Sequence, residues 1–316
     1  MTRVIAKYRR ELAVASTYVA LLVLLAVVTP NFFRAQFRAT WVGAAPVLVV
    51  AVGMTLIILA RHIDISVGSQ FSLCGVIAAL LARAGMPMGA VVGITLLAGA
   101  AMGAVNGTLV AGLGLPSIVV TLATMVIARE SLRLWREGDA VRGMPDTFQW
   151  FGASQDAGQW TVVLGALAVF VAFACAMRWL VAGRNVYAVG SDEQAARLAG
   201  VRPQRVVFWV FVLTGALTAF AAILNAVRFA IVDPNAGNGL ELQVIAASVV
   251  GGAAITGGRG TMIGTLIGIA LLTTIGPALS FLGIRPEWER AIQGAIILIA
   301  AAASSPVWTR GKAGMA

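Results

Sequence analysis

Charge is what this 316-residue chain lacks most: 11% of its residues are Asp, Glu, Lys or Arg, against 59% hydrophobic ones. Soluble domains carry roughly 25% charged residues, because a water-facing surface must be covered with polar groups. Mean hydropathy is +0.91 and the apolar excess runs along nearly the whole length. A soluble enzyme, a coiled coil and a disordered chain are thereby excluded, and an all-α, polytopic membrane bundle is expected. Histidine occurs once and cysteine twice. That scarcity argues against a histidine-rich metal centre and a disulfide framework; Cys74 and Cys175 both lie in apolar stretches, where free cysteine acts as a small hydrophobe.

Chemistry is missing too. There is no G-x-x-x-x-G-K-[ST] loop, and Gly257-Gly258-Arg259-Gly260 misses G-x-G-x-x-G because Ile263 stands where the last glycine belongs. H-E-x-x-H, G-x-S-x-G and C-x-x-C are absent as well. No enzymatic centre, resident cofactor or metal site is expected within this subunit.

What the chain does have is apolar length. A helix crossing about 30 Å of hydrocarbon needs about 20 apolar residues. On that template ten spans fall at 12–30, 41–60, 66–83, 87–112, 115–134, 160–182, 206–227, 242–257, 261–282 and 289–307, within a range of eight to ten, and they form a single transmembrane domain over 1–316. The net charge of +10 resides in short basic clusters between these runs. Such clusters hold loops on the cytoplasmic side, so no nucleic-acid partner is expected. Arg3, Lys7, Arg9 and Arg10 keep the N-terminus inside, and the first apolar run is too long for a cleaved signal. Ten crossings return the C-terminus to the same side and place 183–205 there too, while 135–158 forms the longest loop opposite.

Glycine recurs every fourth residue at Gly99, Gly103 and Gly107 and again at Gly260, Gly264 and Gly268. That spacing lets helix backbones approach closely, either within one bundle or between subunits and along a pathway; packing within one bundle is the plainer reading.

Few polar groups remain inside the spans, and each has two readings. Asp64 sits with His62 in the junction after the second span; with Ser66 and Ser69 it can cap the third, or it can line a transport path. Asn106 in the fourth span needs a partner from a neighbouring helix or contacts a substrate. Asn225, with Arg228, invites the same comparison, and Thr121 and Thr124 commonly bond their own backbone. In the loop 183–205, Ser191 is placed to begin a short helix carrying Asp192 and Glu193 in its first turn, with Gly200 ending it. Gln194 follows, and Ala195, Leu198 and Ala199 share one face, suited to docking a partner or to lying on the chain's own bundle.

At this loop the sequence resembles an ABC importer permease. Gln194-Ala195-Ala196 followed after three residues by Gly200 has the spacing of the permease E-A-A-x-x-x-G motif, with Gln in place of Glu. More specific are Asp64-Ile65-Ser66-Val67-Gly68-Ser69, Gly103-Ala104-Val105-Asn106-Gly107, the run from Pro116 to Met125, and Gly251-Gly252 with Thr256-Gly257-Gly258-Arg259-Gly260. In this order over about 40–305 they resemble the monosaccharide permeases of the ribose, xylose, rhamnose and autoinducer-2 type. The Arg61-His62-Ile63-Asp64 form, with Trp135 and Gly138, looks nearest the rhamnose and autoinducer-2 branches.

The resemblance implies a permease that pairs with a second copy or a paralogue in the lipid bilayer. It also implies two ATPase subunits, which bind the ATP, and a periplasmic sugar-binding protein. Residues 183–205 would be the coupling-helix loop, and the loops near 135–158 and 231–241 would face the binding protein. An ion-coupled secondary transporter is the alternative, requiring a coupling carboxylate in the membrane for which Asp64 is the one candidate in the first half. An integral-membrane enzyme ranks behind both.

Overall fold

The computed structural model describes residues 9–29 and 31–285 and a few isolated positions up to 298. Within them the chain forms helices α1 (Arg9–Val28), α2 (Asn31–Ala35), α3 (Phe37–Leu59), α4 (Val67–Arg83), α5 (Met88–Gly107) and α6 (Ser117–Arg136). They are followed by α7 (Gln155–Trp179), α8 (Val181–Ser191), α9 (Glu193–Leu198), α10 (Pro203–Ala226), α11 (Leu240–Val250) and α12 (Met262–Phe281). Nine of the ten expected spans coincide with α1, α3, α4, α5, α6, α7, α10, α11 and α12 to within a few residues at most ends. The tenth, 289–307, lies almost wholly outside the described residues. An all-α membrane bundle is the architecture, and among the described residues six helices are by themselves long and apolar enough to cross a bilayer.

Helix α3 is the axis of the bundle. It is apolar on every side, and 89% of its most apolar window is buried, the signature of a helix surrounded by protein. Its few polar groups are spent on neighbours. The Thr55 hydroxyl lies 3.2 Å from the Ser248 hydroxyl of α11 and 2.8 Å from the Thr265 hydroxyl of α12. From α10, the Thr214 hydroxyl donates to the Gly53 carbonyl at 3.1 Å. Hydrogen bonds of this kind between membrane helices average about 0.6 kcal/mol each, so the main cohesion must come from close packing.

The glycine rows provide it. Gly99 and Gly103 of α5 lie directly against backbone of α10 at Gly215 and Phe211, and Gly107 lies against Phe208, where an added Cβ would be 3.0 Å from a carbonyl oxygen. Gly264 and Gly268 of α12 seat in the same way on Gly251 and Ala247. Both rows are therefore seams within one bundle.

One span is shorter than its pattern. The eighth was expected over 242–257, yet α11 stops at Val250. Its 11 residues rise about 16 Å, half of a roughly 30 Å hydrocarbon core. The glycines that follow fold back, with Gly252, Gly257, Gly258 and Gly260 all at positive φ, a conformation that glycine adopts without a steric penalty. Preceding α11, residues 227–239 are also non-helical. Irregular backbone within a membrane is tolerated only where protein or a watery cavity surrounds it.

The two ends of the bundle differ. At one end the loop after α6 joins the loop after α10: Val141 and Val232 exchange backbone hydrogen bonds of 2.9 and 3.0 Å, and the Trp150 N–H donates to the Val227 carbonyl at 2.8 Å. At the other end α8 meets the end of α3 and the turn 256–260, and α9 follows directly on α8.

Candidate functional site

The end built around α9 is assembled from three stretches far apart in sequence. The short helix begins one residue later than Ser191 would have it. Ser191 closes α8, and Asp192 is the cap, its carboxylate accepting from the N–H groups of Gln194 and Ala195 at 2.9 and 3.0 Å. An extended backbone at Asp192, with φ −156° and ψ 108°, breaks the chain between the two helices and aims the carboxylate at the free N–H groups of α9. Glu193 forms an i,i+4 ion pair with Arg197 at 2.6 Å. Gly200, at φ 82°, ends the turn as expected.

The expected apolar face resolves differently. Ala196 is the buried residue of α9, packed on the chain's own bundle, whereas Ala195 and Ala199 are exposed and Leu198 is 92% exposed. Gln194 is also exposed. An outward leucine beside two alanines, on a helix whose other side is anchored, presents an unpartnered apolar surface.

What anchors α8, and through it α9, is backbone contact. The Gly258 N–H donates to the Leu59 carbonyl at 3.0 Å, and the Tyr187 hydroxyl donates to the Gly260 carbonyl at 2.9 Å. At Gly190 a side chain would run into the Leu59 carbonyl and lie 2.8 Å from the Gly258 nitrogen. The end of α3, the end of α8 and the glycine turn thus meet with no side chain between them. Close by, a cavity of about 510 Å³ opens between this junction and the 110–118 segment, with Arg61, His62, Ser117, Glu193, Arg197 and Gln204 on its wall. Burial holds the His62 imidazole below its usual pKa, with the Glu193 charge opposing the shift and Arg61 adding to it.

Beneath that cavity lies a buried polar cluster. Asp64, Ser66, Gln70 and Asn106 are all at most 1% exposed. The Asp64 carboxylate accepts from the Ser66 N–H at 2.9 Å and the Ser66 hydroxyl at 2.5 Å. That hydroxyl accepts in turn from the Gln70 and Asn106 side-chain amides at 2.7 and 2.8 Å. Asp64 therefore ties down the N-cap residue of α4, while α4 itself has no side-chain cap bond. Asn106 finds its partner on a neighbouring helix, as a buried amide must. Thr121 bonds its own helix at Ser117 and also accepts from the Ile65 N–H at 3.1 Å, clamping the junction to α6; Thr124 donates to the Thr121 carbonyl at 3.3 Å. Asn225 stands apart from this group, its carbonyl oxygen 3.4 Å from Arg228. The structure thus brings Asp64, Asn106 and Thr121 together and leaves Asn225 elsewhere.

The cluster has more acceptors than donors. Asp64 Oδ2, Gln70 Oε1 and Asn106 Oδ1 are buried without a hydrogen-bond partner. Asp64→Asn is therefore expected to be tolerated, because it keeps Oδ1 as acceptor and adds a donor where three oxygens lack one. Asp64→Ala removes the partner of Ser66 and should cost about 1–3 kcal/mol. Thermal unfolding of both variants in detergent measures this; an asparagine variant as unstable as the alanine one would refute the donor deficit.

A polytopic helical bundle interrupted by the half-length α11 and carrying an outward-facing helix at one end has the build of a membrane transport protein. A family model described as "Branched-chain amino acid transport system / permease component" matches residues 38–301, so the chain belongs to that permease family. Within it the chain stands with the permeases of monosaccharide ABC importers. The "Ribose import permease protein RbsC" of Escherichia coli K12 is 36% identical over 296 residues, covering 89% of this chain and 90% of the relative. The "Autoinducer 2 import system permease protein LsrC" of Salmonella typhi is 35% identical over 299 residues, covering 92% and 84%. A "Probable ABC transporter permease protein y4mJ" of Sinorhizobium fredii is 33% identical, covering 94% and 89%. No solved structure matches. The protein is thus a multi-pass inner-membrane permease.

Proposed function

We propose that this chain is the membrane-spanning subunit of an ATP-driven importer that moves a monosaccharide or related small polar carbohydrate by alternating access. The observation that carries the reading is α9, anchored through the Gly190–Leu59–Gly258 junction and presenting Leu198 outward. On this reading Asp192, Glu193, Gln194, Ala195, Ala196 and Gly200 form the coupling helix within 183–205, which seats in a separate ATPase subunit. That subunit binds the ATP; this one supplies no ATPase site and no cofactor of its own. Both termini and the coupling end are cytoplasmic. The joined loops 137–154 and 227–239 then face outward, toward a periplasmic sugar-binding protein. A second permease copy or a paralogue completes the pathway.

Swinging a two-state equilibrium from 1:99 to 99:1 takes about 5.5 kcal/mol of differential binding, which ATP engagement by the partner subunits is of the right order to supply. A lever is then all this chain must contribute. The junction serves as one because it joins the coupling helix to α3, the buried axis of the bundle. Among sugars, the Arg61-His62-Ile63-Asp64 form favours a rhamnose- or autoinducer-2-like substrate, although the ribose and autoinducer-2 relatives match the chain equally well.

Leu198→Glu is expected to leave the protein inserted and folded, since residue 198 touches little of its own chain, while abolishing co-purification of the ATPase and its stimulated hydrolysis. Wild-type levels of both would refute the docking assignment. A bulky residue at Ala196 should displace α9 from the bundle and uncouple transport in the same way. Gly200 has open space around it, so there only the positive φ resists substitution, and a smaller effect is expected. The ion-coupled alternative rests on the buried Asp64 carboxylate: it requires Asp64→Asn to stop transport, whereas ATP-driven import by Asp64→Asn at near wild-type rate excludes it.

A further inference from the structure

Asp64 is 0% exposed, and among the described residues no Lys, Arg or His forms an ion pair with it. A buried carboxylate that keeps its charge must find a cation, whether a side chain or a metal ion. The first turn of α4 reaches it through one oxygen only. The Ser66 N–H and the Ser66 hydroxyl both donate to Oδ1, and Oδ2 receives nothing. The single proton of that hydroxyl is thereby committed to Asp64. Gln70 and Asn106 must therefore both present their NH2 groups to the Ser66 oxygen, at 2.7 and 2.8 Å. Exchanging O and N in either amide would set its lone pairs against those of the Ser66 oxygen. The amide orientations are thus fixed, and both amide oxygens are left without a donor in side chains that are 1% exposed.

Asp64 Oδ2, Gln70 Oε1 and Asn106 Oδ1 are three bare oxygens, each belonging to a group that touches the same Ser66 hydroxyl. Their number selects what satisfies them. A proton on Oδ2 provides one donor for two amide oxygens. A water molecule provides two donors for three acceptors and leaves the carboxylate charge uncancelled. A metal ion meets all three oxygens and neutralises the carboxylate at once. Hard cations take carboxylate and amide carbonyl oxygens as ligands. With one negative charge in the set, a singly charged ion fits; calcium or magnesium would keep a second, uncompensated charge in the interior.

We infer that Asp64, Gln70 and Asn106 form a site for an alkali-metal cation, sodium or potassium, resident in the bundle beneath the coupling-end cavity. The ion holds the start of α4 to α5, and Thr121 of α6 clamps the same start through Ile65. The site stands independently of what the permease carries, and its ion stays in place during transport. Asp64→Asn removes the charge and puts an amide beside the ion's position, where its two N–H groups serve Gln70 and Asn106. That variant is therefore expected to fold without the ion.

The test uses the full chain, purified in detergent in a buffer free of sodium and potassium. Its thermal unfolding is followed in equal concentrations of NaCl, KCl and choline chloride. At least one of the two alkali chlorides should raise the unfolding temperature several degrees above choline chloride, levelling off as the site fills. Whichever salt does so names the ion. Equilibrium dialysis against radioactive sodium, or rubidium as the tracer for potassium, should find one ion per chain. Asp64→Asn should bind none and unfold at the same temperature in all three salts. Gln70→Leu keeps the carboxylate and removes one oxygen ligand, so it should need a severalfold higher ion concentration for half of the stabilisation. Equal unfolding temperatures of the unaltered chain in the three salts, with no ion retained on dialysis, overturn the site. A sodium or potassium response that Asp64→Asn keeps in full overturns it too, by placing the ion elsewhere.

Discussion

Gly190→Val is expected to abolish ATP-driven transport and to leave the protein either unstable in detergent or inserted and uncoupled. Any side chain at 190 meets the Leu59 carbonyl and the Gly258 nitrogen, both backbone atoms of neighbouring elements. A flexible side chain can move aside for an intruding methyl group; a hydrogen-bonded helix end cannot. Relief requires α8 to move away from α3 and from the glycine turn, which draws the Tyr187 hydroxyl off the Gly260 carbonyl. Overpacking in ordinary cores costs about 1–3 kcal/mol, and contact with fixed backbone belongs at or above the upper end. Thermal unfolding and ATP-driven uptake together decide the matter: wild-type values of both would mean that the junction is plastic and transmits nothing.

Gly215→Leu is expected to have the largest effect on the bundle itself. Gly215 of α10 faces Gly99 and Gly103 of α5, where a Cβ would strike the Gly99 carbonyl and lie 3.0 Å from the Gly103 nitrogen. In lipid there is no hydrophobic gain to offset the separation of two helices, because the tails are as apolar as the side chains; packing is the main attraction. Loss of about 3 kcal/mol or more, and poor recovery of folded protein from membranes, should follow. Gly89 and Gly93, on the same helix α5 but with open space around them, are the controls. Gly93→Leu should express normally, and equal loss at 93 and 215 would show that glycine serves α5 through general flexibility and not through this crossing.

How much of this was readable from the sequence depended on the range of the interaction. The long spans were legible because hydrophobic length is a local property. Asn106 and the glycine rows were legible as demands for a close neighbour, although the neighbour could not be named. The cap of α9 was misplaced by one residue because Ser191 and Asp192 are both good capping residues, and only the extended backbone at 192 decides between them. The early end of α11 was hidden, since Gly251–Gly258 continues the small, apolar composition of the helix before it. The Gly190–Leu59–Gly258 junction was invisible for a deeper reason. It consists of backbone groups, and backbone groups leave no letter in the sequence beyond the glycines that make room for them.

The first helix stands outside all of this. Helix α1 is almost entirely on the outside of the bundle, with 6% of its apolar window buried. Leu25, together with Phe32 and Ala278, forms a small cluster separate from the main core. The family match begins at residue 38, beyond α1 altogether. Among the described residues α1 meets the bundle chiefly along α12, so its outward face takes no part in the glycine seams of the core. For engineering, it is the place to graft a fluorescent fusion or an affinity handle without disturbing the moving parts.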